Sequence, residues 1–147
     1  MEVFRITHYL YTDLLASGKS ARWNNRGKFI IYTTGSRALA CLENLVHRNG
    51  EGLNSLFKIL TIEIPNSVKI KSLCTDELYT DWQVFTNSYF TRQIGDEFLS
   101  QNKYPILKVP SVIIPEESNY LINPNNIDFR KIKTKSIEDF LFDNRLK

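Results

Sequence analysis

The sequence predicts an α+β fold: a single compact domain with a mixed, mostly antiparallel β-core and a few helices. Predicted strands outnumber predicted helices, and the order of elements shows no strict βαβ alternation. The length of 147 residues suits one domain with a full core. A hydrophobic fraction of 42% supplies that core, and no repeat, low-complexity segment or linker divides the chain. We therefore expect residues 1–147 to form one domain.

The first part of the chain is predicted to contain a strand and then a strand–turn–helix unit. Val3–Ile6 is a short strand, and Tyr11–Leu15 forms one helical turn. Lys28–Thr33 is apolar without alternation, which is typical of a strand buried on both faces. Ser36 is a suitable N-cap for a helix over Arg37–His47, whose apolar residues form one wide face.

The rest of the chain is predicted to be mostly strand, from its β-branched and alternating runs. The predicted strands are Phe57–Ile64, Val68–Leu73, Ile106–Val109, Val112–Ile114 and Asn119–Ile122. The tail Phe129–Leu146 alternates aromatic or aliphatic residues with charges, so we expect a closing strand or hairpin.

Two loops and one helix complete the predicted elements. Asn49–Gly52 is a loop, and Cys74–Ser88 is a longer loop whose apolar residues, Phe85 among them, are expected to pack inward. Thr91 is a plausible N-cap for a helix over Arg92–Leu99.

Charge and cysteine content exclude several classes of protein. The net charge of +3 is small and spread along the chain, so we expect a mixed solvated surface and no direct nucleic-acid binding. Cys41 and Cys74 form no metal-ligand spacing or disulfide framework, which is typical of a reducing cytosol. We see no signal peptide and no apolar run near the ~20 residues that span a bilayer. The expected location is cytoplasmic, without a membrane partner.

Sequence motifs exclude three common enzyme classes. The chain contains no HExxH, paired CxxC, GxSxG or GxGxxG motif. A zinc protease, an α/β-hydrolase and a Rossmann dehydrogenase therefore have no support. The Ser17–Ser20 loop has a glycine and a lysine but lacks the spacing of a phosphate-binding P-loop.

The residues that can carry chemistry are Arg22, Tyr32, Glu43, His47 and Ser111. Each has an ordinary structural explanation when taken alone: a surface arginine, a packed tyrosine, a solvated glutamate, a helix-end cation and a turn serine. Arg22, Tyr32 and Glu43, however, lie on consecutive elements of one β-turn-α unit. Glu43 falls at the border of the apolar helix face, between the buried and the solvated side.

Two further residues have roles that the sequence leaves open. Arg5, in the first strand, is either an exposed edge charge or a side chain that points into a cleft. His47 lies one turn after Glu43, where it either positions that carboxylate or acts as a cation near the helix dipole.

Six segments of the chain carry a family resemblance. They are FRITH, RWN, YTTGSRALACLENLVH, TRQIGDEFL, LKVPSVIIPEESNYLINP and FLFDNRL, in this order over nearly the whole chain. Together they resemble the RES domain, the toxin half of a bacterial toxin–antitoxin pair, named for its arginine, glutamate and serine. The family's arginine, tyrosine, glutamate and serine correspond to Arg22, Tyr32, Glu43 and Ser111. The family usually has glycines before the arginine, where this chain has Ser20 and Ala21.

The resemblance implies an ADP-ribosyltransferase-like fold that binds NAD⁺ and breaks its nicotinamide–ribose bond. Family members deplete NAD⁺ by hydrolysis or phosphorolysis, and some resemble transferases that modify a protein. The implied partner is an Xre/ParS-like antitoxin with a DNA-binding region, and a homodimer of the toxin inside that complex is one expected arrangement. NAD⁺ is the substrate, so we expect no metal and no further cofactor.

The chemistry of this reaction fits the residue types. Loss of nicotinamide leaves an oxocarbenium-like ribose, which Glu43 can stabilise as glycosidase carboxylates do. Arg22 offers a planar fork for the pyrophosphate, Tyr32 a ring face for nicotinamide, and Ser111 a hydroxyl for the carboxamide or the ribose. The predicted substrate-binding residues are Arg22, Trp23, Asn24, Tyr32, Ser111 and Asn119.

Two other functions compete with NAD⁺ degradation. A protein mono-ADP-ribosyltransferase would share the site and differ only in what attacks the ribose. A non-catalytic interaction module or an RNA-binding toxin would belong to another class. The complete set of four family residues speaks against an inactive module, and the lack of a basic, aromatic stripe speaks against RNA.

Overall fold

The computed structural model describes residues 1–48 and 56–146, so the predicted loop Asn49–Gly52 lies outside the described residues. The strands are β1 (Glu2–His8), β2 (Ile31–Thr34), β3 (Phe57–Glu63), β4 (Ile70–Ser72), β5 (Ile106–Pro110), β6 (Ser118–Ile122) and β7 (Lys133–Phe140). The helices are α1 (Arg37–His47) and α2 (Ser88–Gln101). Short 3₁₀ turns occur at Tyr9–Tyr11, Thr75–Glu77, Phe85–Asn87 and Ile127–Lys131.

The strands form one sheet in the order β4-β5-β6-β2-β1-β3-β7. β4 and β5 are parallel, and the remaining neighbours are antiparallel. This arrangement confirms the predicted α+β class with a mixed, mostly antiparallel sheet. β7 pairs along β3, which confirms the closing strand. No helix in the described part of the chain has the length and apolar character needed to cross a membrane.

α1 has the predicted bounds because local signals define both its start and its buried face. Ser36 is extended, and its Oγ accepts a hydrogen bond of 3.1 Å from the backbone N–H of Leu39. Leu39 and Ala40 are buried, and Ala40 joins a core cluster with Ile6 of β1. α1 therefore lies across β1 and β2, with Glu43 and His47 beside them.

α2 begins at Ser88, so the predicted N-cap at Thr91 is wrong. Thr91 lies inside the helix and is 1% exposed. Its Oγ1 lies 2.6 Å from the carbonyl oxygen of Arg22 and 3.0 Å from that of Ser88, and the single hydroxyl proton is shared between these two acceptors. A hydroxyl that resembles a cap in sequence thus joins the helix to a distant loop.

Three strand predictions need correction. Val112–Ile114 is not a strand, because the Oγ of Ser111 accepts hydrogen bonds from the backbone N–H groups of Ile113 and Ile114 and turns the chain after β5. β2 begins only at Ile31, and Phe29 is 45% exposed instead of buried on both faces. β4 covers only the middle of the predicted Val68–Leu73.

The sheet opens between β1 and β2. β1 pairs with β3 along its full length, but it meets β2 at the single pair Phe4 and Thr34. Beyond this pair the two strands diverge. The opening faces α1 and positions the candidate site.

Candidate active site

A cleft of about 210 Å³ lies between α1, β1 and β2. Its lining includes three residues that we predicted to act on substrate: Tyr32, Glu43 and Asn119. Arg5 and His47, whose roles the sequence left open, line it as well. Arg5 therefore does not sit on an edge strand, and its Nη1 donates to the carbonyl of Leu15 at 3.0 Å.

The two carboxylate oxygens of Glu43 have different surroundings. Oε1 accepts hydrogen bonds from Ser111 Oγ at 3.1 Å and from Asn119 Nδ2 at 2.8 Å. Oε2 lies 3.6 Å from Nε2 of His47, which is too long for a strong hydrogen bond. The side chain is 19% exposed and lines the cleft, with Oε1 held by two hydrogen bonds and Oε2 in the longer contact with His47.

Ser111 acts on Glu43 and is itself inaccessible. It is 0% exposed, so the predicted direct contact with the carboxamide or a ribose hydroxyl is not available in this conformation. Its Oγ already accepts from the backbone N–H groups of Ile113 and Ile114. Both lone pairs are thereby used, and the hydroxyl proton is directed to Glu43 Oε1.

The surroundings of Glu43 keep it ionised. Burial acts to raise its pKa, but the contact with His47 and the hydrogen bonds from Asn119 and Ser111 together outweigh burial and hold the pKa below the ordinary value. A carboxylate held in this way can stabilise a positive charge without first losing a proton.

Arg22 is half-buried and is not among the residues that line the cleft. Its Nη1 donates to the carbonyls of Trp82 at 3.2 Å and Val84 at 3.3 Å. Burial and the nearby Arg92 lower the pKa of Arg22, and Glu43 acts to raise it. The structure thus brings Arg22 within electrostatic reach of Glu43, although the two form no ion pair.

Trp23 and Asn24, which we predicted to bind substrate, are both buried. Trp23 is 2% exposed and its ring centroid lies 6.2 Å from that of Trp82. Asn24 is 1% exposed, and its Nδ2 donates to three backbone carbonyls of its own loop. Their side chains hold the Arg22 loop in shape, and neither lines the cleft.

Tyr32 connects this loop to the cleft. Its hydroxyl donates to Oδ1 of Asn24 and accepts from the backbone N–H of Trp23 at 3.2 Å. Burial raises the pKa of Tyr32, so the side chain remains a neutral phenol. Because the hydroxyl is occupied, the ring is the part of Tyr32 that remains for a ligand.

Sequence reasoning missed the contribution of α2 to this site. Thr91 holds the carbonyl of Arg22, and a Cβ at Gly95 would lie 1.6 Å from the carbonyl oxygen of Trp23. A glycine inside a predicted helix is the signal that was available, since it often marks a close approach of another backbone. Arg92, next to Thr91, carries no local signal of a role at the site.

Comparison with known proteins identifies the family. The RES domain model matches residues 2–143. A protein named Toxin Res from Photorhabdus laumondii is 38% identical over 152 residues, which cover 99% of this chain and 97% of that protein. A protein named Prs ADP-ribosylating toxin from Sphingobium is 35% identical and covers 94% of this chain and 89% of that protein.

A solved structure agrees at the level of the fold. It is the crystal structure of the M. tuberculosis MbcT–MbcA toxin–antitoxin complex, which superposes with a TM-score of 0.75 at 14% identity. The match covers 95% of this chain and 84% of that chain. The family model and the relatives more than 30% identical decide the classification: this chain belongs to the RES domain family.

Proposed function

We propose that this chain is the toxin of a toxin–antitoxin pair and that it cleaves the nicotinamide–ribose bond of NAD⁺. The observation that carries the proposal is the carboxylate of Glu43, which lines the cleft and whose Oε1 is held by Ser111 and Asn119. The names of the relatives support the toxin role and the use of an ADP-ribosyl donor.

The reaction needs a stabilised cation more than it needs a strong acid. The bond between C1′ of the ribose and the pyridinium nitrogen breaks, and its electron pair leaves with neutral nicotinamide. Positive charge then develops on the ribose ring. An ionised Glu43 in a partly desolvated cleft stabilises this charge, by an interaction of about 3–4 kcal/mol in comparable sites. Its pKa, held below the ordinary value, keeps it in the required form at neutral pH.

The other residues of the site orient the substrate. Tyr32 offers its ring to the nicotinamide, because its hydroxyl is engaged with Asn24. Arg22 lies within electrostatic reach of Glu43 and has a guanidinium suited to the diphosphate. Ser111 and Asn119 are positioning residues that hold Glu43, and Asn119 also lines the cleft.

The attacking group decides between the candidate activities. Water attack at C1′ gives ADP-ribose, nicotinamide and a proton, and phosphate attack gives ADP-ribose 1″-phosphate and nicotinamide. An acceptor side chain would give an ADP-ribosylated protein. This second candidate is favoured by one specific observation, the name of the Sphingobium relative, an ADP-ribosylating toxin.

The proposed partner is an antitoxin of the Xre/ParS-like type. Its support is that a chain of the same fold was crystallised in a toxin–antitoxin complex and that relatives are named as toxins. We propose that the antitoxin inhibits by covering the cleft, and that the toxin copies pair inside the complex. After co-expression with the neighbouring gene, light scattering of the purified complex measures the number of toxin copies, and its rate of nicotinamide release measures inhibition.

The test of the activity is an incubation of the purified chain with NAD⁺ labelled in the adenylate half, with and without phosphate. Nicotinamide release together with ADP-ribose indicates hydrolysis, and the appearance of ADP-ribose 1″-phosphate indicates phosphorolysis. A labelled protein band that survives acid precipitation indicates transfer to a protein. A chain that releases no nicotinamide under any of these conditions is a non-catalytic or RNA-directed protein, and the proposal fails.

A further inference from the structure

Two neighbouring arginines, Arg22 and Arg92, form no ion pair within the described part of the chain. Arg92 is half-buried, its Nη1 donates to Oγ of Ser88 at 2.6 Å, and its buried Nε has no hydrogen-bond partner in the described part of the chain. Arg22 makes its hydrogen bonds through Nη1, to two backbone carbonyls. None of the ion pairs found among residues 1–48 and 56–146 includes either guanidinium.

The fold brings these two arginines together. The hydroxyl of Thr91 donates to the carbonyl of Arg22 at 2.6 Å, which joins the loop to α2 one residue before Arg92. The guanidinium of Arg92 is near enough to Arg22 to lower the pKa of Arg22, as the second cause after burial. Two like charges that are partly removed from water are unfavourable unless an anion lies between them.

An exposed aromatic surface adjoins Arg22. The sequence predicts that Phe85 packs inward, but the structure leaves it 76% exposed, with Cζ of Arg22 5.8 Å from its ring centroid. The backbone carbonyls that hold Arg22 belong to the same segment, at Trp82 and Val84. Paired cations beside an accessible ring have the chemistry that binds a nucleotide, with phosphate on the cations and the base on the ring.

The cleft is large enough for only one half of the substrate. At about 210 Å³ it is smaller than the ~300–1,000 Å³ of typical ligand pockets. With Glu43 at the ribose that carries nicotinamide, a cleft of this size takes that half of the dinucleotide. The adenylate half must then lie outside, on the side of Arg22.

We propose that Arg22 and Arg92 together bind the diphosphate of NAD⁺ and that Phe85 stacks against its adenine. This adenylate subsite rests on the proposed function, because it assumes that NAD⁺ is the ligand of the Glu43 cleft. Arg92 and Phe85 are then substrate-binding residues, and neither takes part in breaking the bond.

The test uses ADP and nicotinamide as separate competitive inhibitors of NAD⁺ cleavage. ADP carries the diphosphate and the adenine, and nicotinamide carries neither. Arg92→Met should weaken inhibition by ADP about 10- to 100-fold, as expected for a lost charged hydrogen bond, and leave inhibition by nicotinamide within about twofold. Phe85→Ala should weaken inhibition by ADP about tenfold and leave inhibition by nicotinamide unchanged. Arg26→Met, the same change on an exposed arginine, is the matched control and should alter neither constant.

Binding measured by calorimetry gives a readout that does not depend on turnover. The Glu43→Gln protein should bind ADP. The double variant with Glu43→Gln and Arg92→Met should bind ADP about 10- to 100-fold more weakly. If Arg92→Met does not fold, Arg92→Lys keeps the charge but loses the fork, and about a tenfold weaker ADP affinity is expected.

Three results would overturn the subsite. Unchanged ADP binding in both the Arg92 and Phe85 variants removes its basis, and equal weakening of ADP and nicotinamide shows that Arg92 only supports the fold. A changed dependence on inorganic phosphate with unchanged ADP binding assigns Arg92 to the attacking phosphate instead. Failure of the proposed function is a different result, since the unaltered chain would then release no nicotinamide.

Discussion

Glu43 shows how neighbouring side chains assign different tasks to the two oxygens of one carboxylate. Ser111 and Asn119 both donate to Oε1, and the hydroxyl of Ser111 has no other direction for its proton. The native state therefore favours the ionised form, with a pKa below the ordinary glutamate value of 4.5. The stability that this depressed pKa provides is present at neutral pH and is lost as the pH falls through the folded-state value.

Ser111→Ala tests this arrangement. The change removes a donor that lowers the pKa of Glu43, so the acid limb of the rate profile should move to higher pH, from a position below pH 4.5 in the unaltered chain. We also expect kcat to fall roughly 10- to 100-fold with a smaller change in KM, because the carboxylate loses its alignment. The measurement is nicotinamide release as a function of pH.

The control for this variant is Ser100→Ala, on the exposed side of α2. It should reproduce the pH profile of the unaltered chain. An Ser111→Ala profile with an unmoved acid limb and an unchanged kcat would show that Ser111 does not hold Glu43 in solution.

Tyr32→Phe separates the ring of this residue from its hydroxyl. The hydroxyl joins Oδ1 of Asn24 to the N–H of Trp23, so its loss leaves two polar groups unpaired and should destabilise the fold by about 1–3 kcal/mol. Since the ring remains for nicotinamide, kcat should stay within about tenfold. Urea unfolding and nicotinamide release measure the two effects.

The exposed Tyr9→Phe is the matched control and should change neither quantity. A loss of kcat above a hundredfold with unchanged stability would instead place the Tyr32 hydroxyl in contact with the substrate.

Residue pairing across the chain limits what sequence patterns predict at the site. Glu43 and Ser111 are 68 positions apart and meet only through the folded sheet. Family resemblance, not periodicity, placed them in one set. It did not predict that Ser111 would be completely buried, because that follows from its two backbone hydrogen bonds.

Among the elements, α1 and α2 show when local sequence signals are enough to predict the bounds of a helix. The bounds of α1 were predicted, since Ser36 caps the helix and its apolar face packs on β1. The start of α2 was not, because the hydroxyl of Thr91 serves the Arg22 loop and does not cap the helix. Ser111 likewise converted the predicted Val112–Ile114 strand into a turn. Each of these predictions failed because side-chain contacts in the folded protein, and not the local sequence pattern, decide the structure at that point.

Gly95→Ala tests the contact between α2 and the Arg22 loop. Alanine gains about 1 kcal/mol over glycine in a helix, but its Cβ would lie 1.6 Å from the carbonyl oxygen of Trp23. Backbone cannot yield as a flexible side chain does, so the loop must move, at a cost of about 1–3 kcal/mol or more. We expect a lower unfolding temperature and a lower kcat/KM for NAD⁺, since Arg22 moves with its loop.

Gln93→Ala, on the exposed face of the same helix, is the control and should leave kcat/KM unchanged. A stabilised Gly95→Ala variant with full activity would show that the loop does not pack against α2 as described.

For the molecule as a whole, the divergence of β1 from β2 creates the cleft. The sheet stays closed between β1 and β3, and α1 spans the opening. Sequence analysis predicted the class of fold and most strands, but a cleft between two strands depends on pairing that no local pattern records. The opening places Tyr32, Glu43 and Asn119 around one space.

Expression of the chain without its proposed antitoxin should arrest bacterial growth and lower cellular NAD⁺. Growth and extracted NAD⁺ are measured after induction, with the Glu43→Gln variant at matched protein levels as the control. Normal growth with accumulated, folded wild-type protein would contradict the toxin role.

The most direct measurement is nicotinamide release from NAD⁺ by purified Glu43→Gln protein. Glutamine keeps an oxygen that can accept from Ser111 and Asn119, so the variant removes the charge and retains the shape. We expect the rate to fall by about 10²–10³ or more, with the fold kept and the unfolding temperature only slightly lower, because the neutral amide loses the stability that the ionised carboxylate provides. A variant that releases nicotinamide at the wild-type rate would contradict the role of the ionised Glu43.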